Sequence, residues 1–274
     1  MAEISAAVAG TIAIGDMTVN RVGLGANRIT DKPAAYELLR KAVELGVNFI
    51  DTAHRYGSGA SETSIGNALA PYKPGVVVAT KGGYNFDGEN GSPEALSRDL
   101  EESLQRLKTD CIDLYQLHRV DPNVPLEESV GALKTFQDAG KIRHIGLSEV
   151  TIEQLQRAQK VATIASVQNE YNVLVRRHEA LVDYCTEQGV AFIPWFPLGG
   201  LSGGSERVQT ELSELAAKYN ATPQQLALAW LLKRSPMMLP IPGTLSIAHL
   251  EENLAAGAIT LSDEDYQELS TVQR

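Results

Sequence analysis

Hydrophobic and polar positions in this chain follow two periods in turn, and the alternation repeats from residue 22 to the C-terminal region. A short apolar run rich in Val, Ile and Leu stops at a polar residue. A polar loop follows, and then a segment whose apolar positions recur at helical spacing. The runs fall at 22–25, 47–50, 76–80, 112–117, 142–147, 164–167, 190–194 and 237–241. Between them the pattern predicts helices over 33–45, 61–70, 93–107, 127–139, 152–160, 177–188 and 223–233. A further helix begins near Ser246 and a C-terminal one near 263. Glycines 46, 140 and 189 close three of them, and Pro93 stands at a first-turn position. Ser61 is the candidate N-cap of the second helix, and 199–204 reads as a glycine-rich flexible loop. Ahead of the repeat, residues 10–22 alternate weakly around Gly15-Asp16, the pattern of a β-hairpin.

Strict alternation of strand and helix implies a parallel sheet. Eight such units in 274 residues, with no linker or shift of composition between them, imply a closed (β/α)8 TIM barrel rather than an open doubly wound sheet. No GxGxxG opens a first helix, which also counts against the open form. The expected architecture is one domain over 1–274, with an N-terminal hairpin and a C-terminal helix.

Composition narrows the partners. With 43% hydrophobic and 21% charged residues the chain reads as globular and soluble. A net charge of −10 argues against nonspecific binding to nucleic acid or anionic membrane. It does not bar an anionic ligand from a locally positive site. Cys111 and Cys185 form no metal-ligand spacing or disulfide framework; both lie in apolar segments and are expected as buried thiols. The N-terminus lacks the basic start of a signal peptide and no run reaches membrane-spanning length, so a cytoplasmic monomer or small homo-oligomer is expected.

In a barrel the strand ends converge on one mouth, and here they end at Asp51, Lys81, His118, Ser148, Gln168, Trp195 and Thr244. Singly, each has an ordinary explanation: a helix cap, a solvated lysine, a satisfied core histidine. On one rim, with Tyr56 in the loop after Asp51, they make a working set. A lysine ammonium beside a phenol stabilises the phenolate, so the hydroxyl can give and take a proton. Asp51 can hold Lys81 charged, and His118 can donate to a developing alkoxide. That set suits hydride addition to a carbonyl, and it requires a cofactor as hydride source. A metal site at Asp51, His54 and His118 is the competing reading, but the chain carries no HxH pair and no HExxH. His54 reads as pocket wall or surface, and His144 and His178 as structural.

These residues, in order, resemble the aldo-keto reductase superfamily. The likeness runs through FIDTAHRYG at 49–57, Ser61-Glu62, GNAL at 66–69, Lys81, DLYQLH at 113–118, IGLS at 145–148, QNEYN at 168–172, PLGG at 197–200 and IPGT at 241–244, covering essentially the whole chain. WFPLGG, ATPQQLALAWLLKRSP and HLEEN are most similar to its pyridoxal reductase (pyridoxine 4-dehydrogenase)-like branch. The resemblance implies a catalytic tetrad of Asp51, Tyr56, Lys81 and His118, with Tyr56 as proton donor. It implies reversible NADPH-dependent reduction of a small aldehyde or ketone, with pyridoxal as a candidate substrate. It places the cofactor against Gly25 and Ala26, its carboxamide at Ser148, Glu149 and Gln168, and its nicotinamide ring on Trp195. Phe196, Pro197, Leu198 and Gly199 follow the pyrophosphate, and Gly243, Thr244, Ser246, His249, Glu252 and Asn253 grip the adenosine end. Substrate loops are expected at 84–90 and 199–206.

Three departures stand out. Glu149 replaces an Asn, and a carboxylate accepts but cannot donate. Gly243 and His249 stand where many members carry a Lys and an Arg, which leaves NADH open beside NADPH. A non-catalytic NADP(H)-binding regulatory subunit on the same barrel is the alternative; the intact tetrad argues against it.

Overall fold

A strand covered on both faces needs apolar side chains in both directions, and the sheet is built from such strands. The computed structural model describes residues 4–199, 201 and 206–272. An N-terminal hairpin, β1 (Thr11–Ile14) and β2 (Met17–Asn20), precedes β3 (Leu24–Gly25), β4 (Phe49–Asp51) and β5 (Val77–Gly82). A small hairpin, β6 (Tyr84–Asn85) and β7 (Gly88–Glu89), leads to β8 (Ile112–Leu117), β9 (Ile142–Ser148), β10 (Ile164–Gln168) and β11 (Ala191–Phe192). The seven central strands pair in parallel in the order β11-β10-β9-β8-β5-β4-β3. Around them lie α1 (Pro33–Glu44), α2 (Ala60–Leu69), α3 (Pro93–Leu107), α4 (Leu126–Asp138), α5 (Ile152–Gln159) and α6 (Glu179–Gln188). The outer layer continues with α7 (Glu206–Lys218), α8 (Pro223–Arg234), α9 (Ile247–Ala255) and α10 (Asp263–Thr271). No helix among the described residues is long and apolar enough to cross a membrane.

The eighth apolar run, 237–241, is not a regular strand, and 190–194 shortens to β11. Pro240 and Pro242 have no N–H to give to a ladder. The segment instead bonds singly to both free edges. Phe192 N donates to the Met237 carbonyl at 2.8 Å and Leu239 N to the Phe192 carbonyl at 2.9 Å. On the other side Gly23 N donates to Pro240 O at 3.0 Å and Gly25 N to Pro242 O at 3.3 Å. These bonds close the (β/α)8 barrel through a proline-thinned seam.

Two cores result. Inward residues such as Phe49, Val77, Ala79, Leu114 and Ile193 meet Ile12, Ile14, Met17 and Val19 of the hairpin, which plugs one end of the barrel. The outward residues, Ile50, Val78 and Tyr115 among them, pack against the helices. The hairpin is tied down by Asp16, which accepts from Arg143 Nη2 at 2.7 Å and pairs with His144 Nε2 at 2.6 Å. Gly15 is required there: its φ is +60°, and a Cβ would fall 2.1 Å from the His144 ring.

Several local expectations are corrected. Ser61 is not a cap; Gly59 occupies that position, and the buried Ser61 hydroxyl donates to Ala26 O at 2.8 Å and meets Thr52 Oγ1 at 2.7 Å. Cys111 is exposed because it sits in the turn before β8, while Cys185 is buried. Helix α6 starts at Glu179, two residues late, with His178 in the N-cap position. Helix α7 follows the glycine-rich stretch and has no counterpart in the sequence reading; of that stretch, 200 and 202–205 lie outside the described residues.

Helix α2 lies close against α3 at Gly66, where an added Cβ would come 2.2 Å from the Arg106 carbonyl oxygen. Helix propensity alone would make Gly66→Ala stabilising by about 1 kcal/mol. Overpacking against a backbone atom outweighs that, and the variant should be destabilised by about 2 kcal/mol with a melting temperature several degrees lower. A raised melting temperature would show that the two helices separate freely.

Candidate active site

Successive side chains on a strand point to opposite faces, so an inward residue implies inward neighbours two positions away. Phe49 and Ala79 are in the barrel interior, which carries Asp51 and Lys81 inward; Leu114 does the same for Gln116. These side chains form the last layer before the mouth. Asp51 is in register with Ala79, and Lys81 with Gln116. Lys81 is therefore one inward step beyond Asp51's partner, and its long stem spans that step. Gly146, in register with Gln116, leaves room for it: a Cβ there would fall 2.8 Å from Gln116 Cγ.

The layer is organised around an ion pair. Lys81 Nζ donates to Asp51 Oδ2 and to the Thr52 carbonyl, both at 2.7 Å, and its side chain is 0% exposed. Asp51 Oδ1 accepts from Gln168 Nε2 at 2.8 Å and Gln116 Nε2 at 3.3 Å. Burial opposes the lysine's charge, but the Asp51 carboxylate and the Tyr56 hydroxyl outweigh it, and the ammonium is held above its ordinary range. Tyr56 opens a tight turn, Tyr56–Gly59, in which Gly57, Ser58 and Gly59 all have positive φ. Its ring centroid lies 5.1 Å from Lys81 Nζ and 5.9 Å, edge to face, from the ring of His118. His118 is buried, and burial joined by the Lys81, Arg119 and Arg55 cations holds it well below the usual histidine range. It stands as a neutral imidazole, with Nδ1 buried and unpartnered.

Above this layer opens a cleft of about 910 Å³. Asp51, Tyr56 and His118 line its floor, with Lys81 beneath them. Of the residues implied for the cofactor, Gly25, Ser148, Gln168, Trp195, Phe196, Pro197 and Leu198 line the wall. So do Gly243, Thr244, Ser246, His249, Glu252 and Asn253 at one end. Ala26, Glu149 and Gly199 lie behind the wall. Ala26 is fully buried, and Gly199 packs under Phe196. Glu149 takes a positive φ of 54° and accepts from Trp195 Nε1 at 2.6 Å and Glu170 N at 2.8 Å. It anchors the indole from outside. His54 turns away from Asp51 and His118 and bonds Glu102 at 2.9 Å and Asn85 at 3.2 Å.

Tyr84, from the expected substrate loop, lines the cleft, and so do three arginines that sequence reasoning gave no role: Arg28, Arg55 and Arg119. Arg119 directly follows a strand-end histidine, and Arg55 directly precedes Tyr56. Adjacency to the tetrad was the available signal, and it was outweighed by the chemistry of the tetrad itself. Gln116 was legible by period two, lying two residues before His118.

Fold and cleft are those of a barrel enzyme, and comparison with known proteins identifies its family. The profile of the aldo/keto reductase family matches residues 11–274. Pyridoxine 4-dehydrogenase of Escherichia coli is 39% identical over 285 residues, covering 96% of this chain and 98% of that protein. A thermostable aldo-keto reductase, solved with the inhibitor epalrestat, superposes with a TM-score of 0.87 at 32% identity, covering 95% and 98% of the two chains. An aldo-keto reductase of Klebsiella pneumoniae, solved with NADPH, gives 0.82 at 30% identity, covering 94% and 93%. The chain belongs to the aldo/keto reductase family.

The neutral state of His118 has a pH signature. The unfolded chain takes up this proton near pH 6.5 and the folded site does not. Stability therefore falls as pH drops below 6.5, because the unfolded state binds more protons. His118→Gln removes that dependence. Between pH 7.5 and 5.5 the natural protein should lose on the order of 1 kcal/mol more unfolding free energy than the variant, read by urea denaturation. Equal losses would mean that the folded imidazole protonates normally.

Proposed function

We propose that this protein catalyses reversible NADPH-dependent reduction of a small aldehyde or ketone to the alcohol, with Tyr56 as proton donor and pyridoxal as a candidate substrate. One observation carries the reading: a fully buried lysine is kept charged by Asp51 beneath a tyrosine, beside a neutral histidine, on the floor of a cleft. In the reducing direction, His118 holds the carbonyl oxygen near Tyr56 through an imidazole N–H. Tyr56 gives its proton to that oxygen as the alcohol forms, and the Lys81 ammonium stabilises the phenolate left behind. Asp51, paired with Lys81 on one oxygen and accepting from Gln116 and Gln168 on the other, keeps the ammonium in place.

A nicotinamide dinucleotide, when bound, supplies the hydride. The residues fit such a group. Gln168 spends its N–H on Asp51 and keeps Oε1 as an acceptor, and the Ser148 hydroxyl accepts from Arg119 and remains able to donate. The Trp195 indole, fixed by Glu149, offers an aromatic face on the cleft. At the far end α9 points its N-terminus, capped by Ser246, at the cleft beside Thr244 and His249. Gly243 and His249 remove two cations from that end, but Arg28 brings one back, donating from Nη2 to the Gly243 carbonyl at 3.1 Å. That cation favours NADPH over NADH. The NADPH complex of the Klebsiella relative and the name of the Escherichia coli dehydrogenase support the same reading.

The test is oxidation of NADPH and of NADH against a panel of carbonyl compounds that includes pyridoxal. Tyr56→Phe should lower turnover by at least a thousandfold while NADPH still quenches tryptophan emission. Near-normal turnover by that variant would refute Tyr56 as the proton donor. Cofactor binding with no turnover of any carbonyl by the natural protein would instead support a regulatory subunit.

A further inference from the structure

An acidic chain places two arginines at the reacting end of its cleft. Arg55 and Arg119 both line the cleft and both contact one aromatic ring, that of Tyr84. The Arg55 guanidinium carbon lies 4.0 Å from the ring centroid and that of Arg119 5.5 Å. Tyr84 in turn packs edge to face on His118, with centroids 5.3 Å apart. Arg55 also reaches Phe86, 5.5 Å away at the tip of the β6–β7 hairpin. Arg119 spends Nη1 on the His118 carbonyl at 2.7 Å and the Ser148 hydroxyl at 3.2 Å, both neutral acceptors. Among the described residues no Asp or Glu forms an ion pair with either arginine. Among the described residues six other arginines, Arg98, Arg106, Arg143, Arg157, Arg177 and Arg234, do pair with a carboxylate.

The geometry points to an anion subsite: we infer that Arg55 and Arg119, carried on Tyr84, receive a carboxylate or phosphate borne by the carbonyl substrate. This rests on the reductase reading above and names the substrate class within it. The physical case has three parts. A guanidinium over an aromatic ring contacts it through its charge and keeps several N–H groups for a planar, bidentate acceptor. A half-buried cation without a counter-charge gains more from an anion than a solvated one does, because water screens it less. The two cations share the Tyr84 ring that packs on His118, and Arg119 also bonds the His118 carbonyl, so both stand beside the histidine on which the substrate's carbonyl oxygen would sit. The cation at the opposite end, Arg28, is bound to Gly243 beside the cofactor segment, so the two positive regions are separate.

Matched pairs test it. At saturating NADPH, kcat/KM is measured for succinic semialdehyde against butanal and for glyceraldehyde 3-phosphate against glyceraldehyde. The natural protein should prefer the anionic member of at least one pair by about tenfold or more. The pair that responds tells carboxylate from phosphate recognition. Raising NaCl from 0.05 to 0.5 M should shrink the preference, since screening acts on the charged member alone. Arg55→Leu and Arg119→Leu should each cut the anionic-to-neutral ratio severalfold, and Arg55→Lys should restore part of it. The salt measurement needs no variant, so it decides even where a substitution disturbs folding. Equal or better turnover of the neutral member in both pairs would overturn the subsite and leave the reductase reading intact. Failure to turn over any aldehyde, charged or neutral, would overturn both.

Discussion

A lysine ammonium buried among barrel strands is the constraint from which the rest of this site follows. Taking a charge out of water costs several kcal/mol, and a single counter-ion seldom repays it unless the remaining hydrogen-bonding capacity is also met. Here it is met. Lys81 has Asp51 and the Thr52 carbonyl, and Asp51 has Lys81, Gln116 and Gln168. The arrangement gains little for stability, since apolar residues of the same volume would pack as well. Its effect is local: a fixed positive charge beneath one tyrosine hydroxyl. The glycine at 146, the amides at 116 and 168 and the register of β4, β5 and β8 all serve to hold that charge in place.

The same cation shapes its neighbour. His118 is buried beside Lys81 and near two arginines, so it remains neutral where an exposed histidine would begin to titrate. A neutral imidazole can donate a hydrogen bond to an oxygen acceptor without giving up its proton. Lysine and histidine thus differ in charge because, among the described residues, one has a carboxylate partner and the other has none. The overall charge of −10 gives no hint of this, because the cleft concentrates arginines that the surface average conceals.

Much of the fold was legible because strand and helix differ in period, and eight repeats of one alternation leave few architectures. The misreadings each turned on backbone detail that apolar content does not report. Run 237–241 looked like a strand because its apolar content was right, but prolines at 240 and 242 withhold the N–H groups a ladder needs. Ser61 looked like a cap because its type and place suited one, yet the chain around Gly59 is left-handed and turns the hydroxyl into the barrel wall. Cys111 looked buried from its apolar neighbours, while the turn before β8 exposes it.

For the site, residue types at strand ends determined which groups meet at the mouth, because parallel strands all finish on one side and the side-chain period is two. Asp51, Lys81 and His118 could be set together on that ground alone. Which hydrogen bonds they make, and which charges survive, was decided only by the tertiary structure. Gln168 could be placed at the mouth, but not its bond to Asp51; Glu149 could be seen as a substitution, but not as the anchor of Trp195. Arg55, Tyr84 and Arg119 come from three separate segments and have no shared pattern in the sequence. Their meeting follows from how the β6–β7 hairpin folds over the end of β8, a contact between segments that local periodicity does not encode.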